Sequence, residues 1–278
     1  MAAAGASTWV LGARSETGYV RACNEDRMGW VRTPYGNVYV VADGMGGYRG
    51  GALAAELTVN ALKDQLAGLS PEDATFPAQV RQAFLTANQA VYQRHCVDDP
   101  DTPDMGATGV ALITWGVRIL VGHVGDSRAY LWKKEGGLKR LTRDHTALER
   151  MVDAGSDAAA DLAGVLDRAI GHLPTVEAEV TSWITLSVGD MVLLCSDGLC
   201  GYVDDAEISG ILASKCDQQA LADRLVDCAL TKGGEDNVTV QLVRLDDVSS
   251  NADGVVERLR QRLRALRAVK RFGSGAGR

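Results

Sequence analysis

Asn37-Val-Tyr-Val-Val-Ala-Asp43-Gly44-Met-Gly46-Gly47 is an apolar run that stops abruptly in an acid followed by glycines. The stretch 38–42 is short, β-branched and aromatic, which reads as a buried strand rather than a helix and puts Asp43 at a strand end. A lone Asp-Gly is usually a hairpin turn. Here no return strand of matching length follows. Residues 45–51 are glycine-rich, and 52–63 carry the apolar spacing of a helix. Glycines at such a junction let the backbone come close to a ligand or another segment.

The same junction recurs where Met191-Val-Leu-Leu-Cys-Ser-Asp197-Gly198 again runs an apolar strand into Asp-Gly. Asp236, in Gly233-Gly-Glu-Asp236-Asn237, precedes the apolar run 238–243, and Asp126 follows Ile119-Leu-Val-Gly-His-Val-Gly125. Four acids therefore sit at strand ends. Gathered together they repel and require a counter-charge, which a cation held by oxygen ligands supplies. Carboxylate, carbonyl and water ligands without nearby Cys or His favour Mg²⁺ or Mn²⁺ over zinc.

The length of 278 residues suits one domain plus a tail, and a hydrophobic share of 46% suffices for a core. The net charge of −7 is unevenly spread: residues 254–278 hold eight Lys/Arg and one Glu, a net +7, so the first 253 residues carry −14. An acidic body argues against a nucleic-acid partner and suits a site that concentrates divalent cations. Six cysteines without CxxC pairs read mostly as buried thiols in a reducing, cytoplasmic setting. The first 14 residues lack the basic and apolar regions of a signal peptide, and no run of 18 apolar residues predicts a membrane span.

Along the chain the patterning predicts a strand over 8–13, a charged turn over 17–27, and helices over 51–69 and 76–97. Strands over 107–114, 117–124 and 127–133 read as an antiparallel meander. Residues 142–174 read as a mobile flap with a capped helix starting at Asp144. Strands over 176–186 and 191–196, helices over 204–213 and 218–232, and a strand over 238–245 complete the chain. Strand clusters alternating with paired helices indicate an α+β fold, a β-sandwich with helices on its outer faces. His123 inside an apolar strand reads as a hydrogen-bonded core residue, and His95 and His145 as structural.

Seven blocks occur in order: Arg21/Asn24-Glu25-Asp26, Asp43-Gly-Met-Gly-Gly47, Met105-Gly-Ala-Thr108, Val124-Gly-Asp126-Ser-Arg-Ala-Tyr130, Asp144-His145, Ser196-Asp197-Gly-Leu199 and Asp236-Asn237. Over roughly residues 8–245 the chain resembles bacterial metal-dependent serine/threonine protein phosphatases of the PPM, or type 2C, family. The resemblance implies an α-β-β-α sandwich of two antiparallel sheets flanked by helices, with a binuclear Mn²⁺ or Mg²⁺ centre at one end. It implies that Asp43 bridges the two ions, that Gly44 gives a carbonyl, and that Asp197 and Asp236 are the other direct ligands. Asp26, with Glu25, would hold metal-associated waters, and Asp126 with Asp197 a weaker third ion. Arg21 would clamp substrate phosphate, for which its forked guanidinium is suited. The implied reaction is hydrolysis of phosphoserine and phosphothreonine on proteins by a metal-activated water, opposing a Ser/Thr kinase.

Departures from the pattern matter. Met45 stands where eukaryotic members have a His proposed as general acid, so the proton donor to the leaving group is unassigned. The flap offers Leu162 to His172 in place of the His-Pro often seen before its closing helix. The alternative is a catalytically weak binding module of the same fold, which loss of metal acids would mark; a nuclease would want a basic channel. Residues 1–248 are read as the phosphatase domain of a monomer. Residues 249–278 are read as a basic amphipathic tail, with Leu259, Leu263 and Leu266 at helical spacing, for weak contact with a membrane or an acidic partner.

Overall fold

The computed structural model describes residues 7–46, 50–94, 105–153 and 164–248. One sheet runs in the order β1 (Ser7–Glu16), β13 (Val238–Val248), β12 (Met191–Cys195), β8 (Arg128–Lys133), β9 (Gly137–Arg140). The other runs β10 (Glu179–Val180), β7 (Arg118–Val124), β6 (Gly109–Trp115), β3 (Asn37–Ala42), β2 (Arg27–Arg32), with β11 (Ile184–Thr185) also on β7. All these pairings are antiparallel. Two further short strands, β4 (Gly44–Met45) and β5 (Gly106–Ala107), pair with each other just past the end of β3.

The apolar run in β3 is continuous because both of its faces are buried. Val38, Val40 and Ala42 point outward, under helices α1 (Gly50–Ala67) and α2 (Phe76–Tyr92), while Tyr39 and Val41 point inward to the facing sheet. That inner layer joins Tyr39, Val41, Leu112 and Val121 of one sheet to Leu131, Val192, Leu194 and Val243 of the other. Outside the second sheet, α4 (Asp197–Cys200), α5 (Asp205–Leu212) and α6 (Gln218–Thr231) cover Tyr130, Leu193, Val240 and Leu242. The expected α-β-β-α sandwich is the fold.

Several expectations need correction. The meander over 107–133 breaks after β7, and β8 joins the opposite sheet. Gly125 makes that crossing at φ +96°, where a Cβ would lie 2.6 Å from the Thr108 side chain. The strand over 176–186 is two short pieces, because residues 181–183 separate two contacts with β7. Helix α3 (Ala147–Asp153) starts after Thr146, whose Oγ1 accepts the Glu149 N–H at 3.3 Å, rather than at Asp144. Asp144 is instead gripped by Arg128, at 2.6 Å in the closest contact. Strands β2 and β9 lay outside the reading. Of the five described cysteines, none in a disulfide, only Cys195 is fully buried.

Parts of the expected flap, 154–163, lie outside the described residues, as do His95 and the tail helix. The flap's second half is tied to the body: Ile170 N–H donates to Ala107 O at 2.8 Å, and Gly171 N–H donates to Asn88 Oδ1 at 2.8 Å. Among the described residues no helix is long and apolar enough to cross a membrane.

Candidate metal centre

Strand ends from both sheets converge on one rim of the sandwich. Asp43 follows β3, Asp126 follows β7, Asp197 opens α4 two residues after β12, and Asp236 lies two residues before β13. With Arg21, Glu25 and Gly44 they line a cleft of about 430 Å³. Asp26 stands behind the wall, 2% exposed. All eight site residues named from the sequence therefore fall in this cleft or directly behind it.

The backbone is fixed closely here. Asp43 N–H donates to Thr108 Oγ1 at 3.1 Å, and Thr108 N–H donates back to Asp43 O at 2.8 Å. A Cβ at Gly44 would meet Gly51 O at 2.0 Å, and one at Gly51 would meet Glu25 Oε1 at 2.5 Å and Gly44 O at 2.8 Å. Only glycine allows α1 to start this close to the acids. Ser196 Oγ donates to Asp26 Oδ2 at 2.7 Å and accepts from Thr239 N–H at 3.0 Å. Asn237 staples the β1–β2 loop: its Nδ2 donates to Thr17 O at 2.9 Å and Cys23 O at 3.0 Å, and its Oδ1 accepts from Glu25 N–H at 2.8 Å. Thr108, Ser196 and Asn237 stood in the quoted motif blocks, but nothing in their spacing revealed these supporting roles.

Without a cation the charges are unbalanced. Burial, and then the charges of Asp26 and Asp197, raise the Asp43 carboxyl well above the ordinary range. Burial pushes Asp26 up to about 7, and burial with repulsion from Asp197 and Asp144 pushes Asp126 up to about 7. Asp197 is raised by burial too, with the Asp43 contact and Arg21 partly offsetting it. Among the described residues, Arg21 is the one cationic side chain lining the cleft; its Nη2 donates to Asp236 Oδ2 at 2.8 Å. Burial lowers its pKa, but the Asp236 contact more than offsets this, so it stays charged.

Glu25 Oε1, Asp26 Oδ1 and Asp197 Oδ1 are buried without a hydrogen-bond partner. Buried carboxylate oxygens left unpartnered are costly. An all-oxygen donor set of carboxylates and a close backbone carbonyl is what a hard divalent ion takes. The residues present fit such ions.

A second group of potential ligands does not. His123, His145 and Glu179 lie close together, but the two imidazoles stack at 4.6 Å with 21° between planes. Their nitrogen lone pairs therefore lie in nearly parallel planes and do not converge on one ion. His145 Nδ1 accepts the Gly125 N–H at 3.1 Å, and its Nε2 faces Glu179 at 3.1 Å, while burial and His123 push it down to about 4. His123 Nε2 donates to Arg143 O at 2.8 Å. This is the neutral, hydrogen-bonded packing expected of both histidines.

The family model described as Protein phosphatase 2C matches residues 19–230. The chain belongs to the protein phosphatase 2C family. It is 33% identical to the serine/threonine phosphatase stp of Listeria monocytogenes over 250 residues, 86% of this chain and 97% of that protein. The catalytic domain of the serine/threonine phosphatase PstP in complex with two manganese ions superposes with a TM-score of 0.75 at 34% identity, covering 86% of this chain and 99% of that one. The S. agalactiae serine/threonine phosphatase gives 0.78 at 28% identity, covering 86% and 100%. The two solved structures share the fold of this chain.

Proposed function

We propose that the chain is a metal-dependent protein serine/threonine phosphatase acting on phosphoprotein substrates. The observation that carries the reading is the convergence of Asp43, Asp126, Asp197 and Asp236 around Arg21, with orphaned carboxylate oxygens, in a member of this family. Asp43, Gly44, Asp197 and Asp236 would hold two Mn²⁺ or Mg²⁺ ions, Asp26 and Glu25 would orient their waters, and Asp126 with Asp197 would hold a weaker third. When bound, the ions supply Lewis acidity and an activated water for attack on phosphorus.

The chain's own residues do the rest. Arg21 spends one guanidinium nitrogen on Asp236 and keeps the others for phosphoryl oxygens, so the clamp is aimed before substrate arrives. Thr108 and Asn237 fix the backbones that carry Asp43 and Arg21, so catalysis rests on positioning and electrostatics. The thioether of Met45, on the cleft wall, has no proton to give to the leaving serine or threonine. We place the phosphatase domain at 1–248, acting as a monomer in the cytoplasm against a cognate Ser/Thr kinase. Residues 249–278 are assigned to weak membrane or acidic-partner contact.

The test is hydrolysis of phosphoserine and phosphothreonine peptides with added Mn²⁺ or Mg²⁺. Activity should stop with chelator, and Asp43→Asn or Asp197→Asn should lower kcat by several orders of magnitude while circular dichroism is unchanged. Full turnover in excess EDTA would overturn the assignment.

A further inference from the structure

The loop between β1 and β2 displays Tyr19 and Val20, large apolar side chains that are 74% and 68% exposed, immediately before Arg21. Their exposure is imposed by the fold. Tyr19 N–H donates to Gly234 O at 2.7 Å, and Asn237 holds the loop at Thr17, Cys23 and Glu25. Gly18 bends the chain at φ +78°, where a Cβ would lie 2.4 Å from Asp236 O. The Tyr19 ring stands against Gly234, where a Cβ would come within 2.9 Å of Cδ2. Apolar side chains held rigidly in water on a pinned loop mark a contact surface.

The cleft's flap side has the same character. Leu166 lines it, and the neighbouring Val165 is exposed, held by its carbonyl, which accepts the Ala147 N–H at 2.8 Å. A substrate whose phosphate reaches Arg21 and the acids brings its flanking residues past the loop that carries Arg21. A flanking carboxylate would meet Glu25 and Asp236 at the cleft and Glu235 on the rim, whereas an apolar side chain would cover exposed hydrocarbon.

We propose that Tyr19 and Val20, on the loop that carries Arg21 into the cleft, form a subsite for an apolar side chain adjacent to the phosphorylated serine or threonine of a protein substrate. This rests on the phosphatase reading of the cleft. Covering one such side chain supplies about tenfold in kcat/KM, the factor that about 1.4 kcal/mol provides.

The experiment uses the full chain with Mn²⁺ and three phosphothreonine peptides that differ only in carrying Leu, Lys or Asp beside the phosphoresidue, with a small aryl phosphate alongside. The Leu peptide should exceed the other two by about tenfold, chiefly through KM. In the Tyr19→Ser/Val20→Ser double variant that advantage should shrink to about twofold or less, and Val20→Lys should move the preference toward the Asp peptide. Equal rates on all three peptides, a preference for Lys, or a Leu preference that survives the double substitution would overturn the subsite. Each of those results leaves the phosphatase assignment standing. Failure to hydrolyse any peptide or the aryl phosphate would overturn both.

Discussion

Replacing Asp26 by Asn should stabilise the metal-free protein, and by more as the pH rises. Asp26 is 2% exposed, accepts one hydrogen bond from Ser196 at 2.7 Å, and leaves Oδ1 unpartnered. Burial, with repulsion from Asp197 and Asp236, raises its pKa from 3.8 to about 7. Because the folded-state value lies above the unfolded one, the native protein holds this proton between roughly pH 4 and 7, where the unfolded chain has released it. Stability is therefore lost as pH rises through that window. At about 1.4 kcal/mol per pH unit, ionising Asp26 costs on the order of 2–3 kcal/mol between pH 5 and 8, and an Asn escapes that loss. Contributions from His123 and His145, lowered by burial, run the opposite way but are common to both proteins and cancel in the difference. Saturating Mn²⁺ should reverse the order, since an Asn beside the ions costs roughly 10–100-fold in affinity. The assay is urea denaturation of both proteins in chelator at pH 5, 6, 7 and 8, repeated with Mn²⁺ at pH 8. A difference that stays flat across the chelated series, or a wild type that gains on the variant as pH rises, would refute the charge argument.

Arg21→Ala should raise KM for phosphopeptides by roughly 10–100-fold through loss of a charge-assisted contact, with Arg21→Lys restoring only part, as steady-state kinetics will show. Asp126→Ala should chiefly lower kcat and leave KM within a few-fold in the same assay. Gly198→Ala should destabilise by roughly 1–3 kcal/mol, because its Cβ would lie 1.9 Å from Asn237 O and shift the residue that staples the β1–β2 loop; calorimetry reads the lowered Tm. Deleting 249–278 should leave aryl phosphate hydrolysis intact, since every candidate ligand precedes residue 240, while co-sedimentation with anionic vesicles at low salt should fall.

Much of this architecture was legible because its signals are local. A strand buried on both faces must be apolar throughout, and an acid that ends it must sit on a rim, so Asp43, Asp126, Asp197 and Asp236 announced themselves by position alone. What escaped was set by pairing partners distant in sequence. Strand β2, Arg27–Arg32, is an edge strand with Trp30 and Arg32 exposed, and its polar composition reads as loop until β3 is placed beside it. The crossing of β8 to the opposite sheet depends on Gly125 at φ +96°, and a single glycine between two apolar runs reads equally well as a hairpin turn.

The supporting residues share that property. Ser196 matters because Asp26, 170 positions earlier, lies 2.7 Å away, and Asn237 because its carboxamide meets a loop more than 210 residues upstream. The acids themselves contribute little to the core, since they occupy the rim that the two sheets leave open. Their burial, and after it their mutual repulsion, is a liability without a cation, and both raise the carboxyls of Asp26, Asp43, Asp126 and Asp197. Such a site persists because buried hydrogen bonds from Thr108, Ser196 and Asn237 hold the backbone against that repulsion. Under the proposed metal-site reading, the arrangement of strand ends stores free energy that binding a divalent ion would recover.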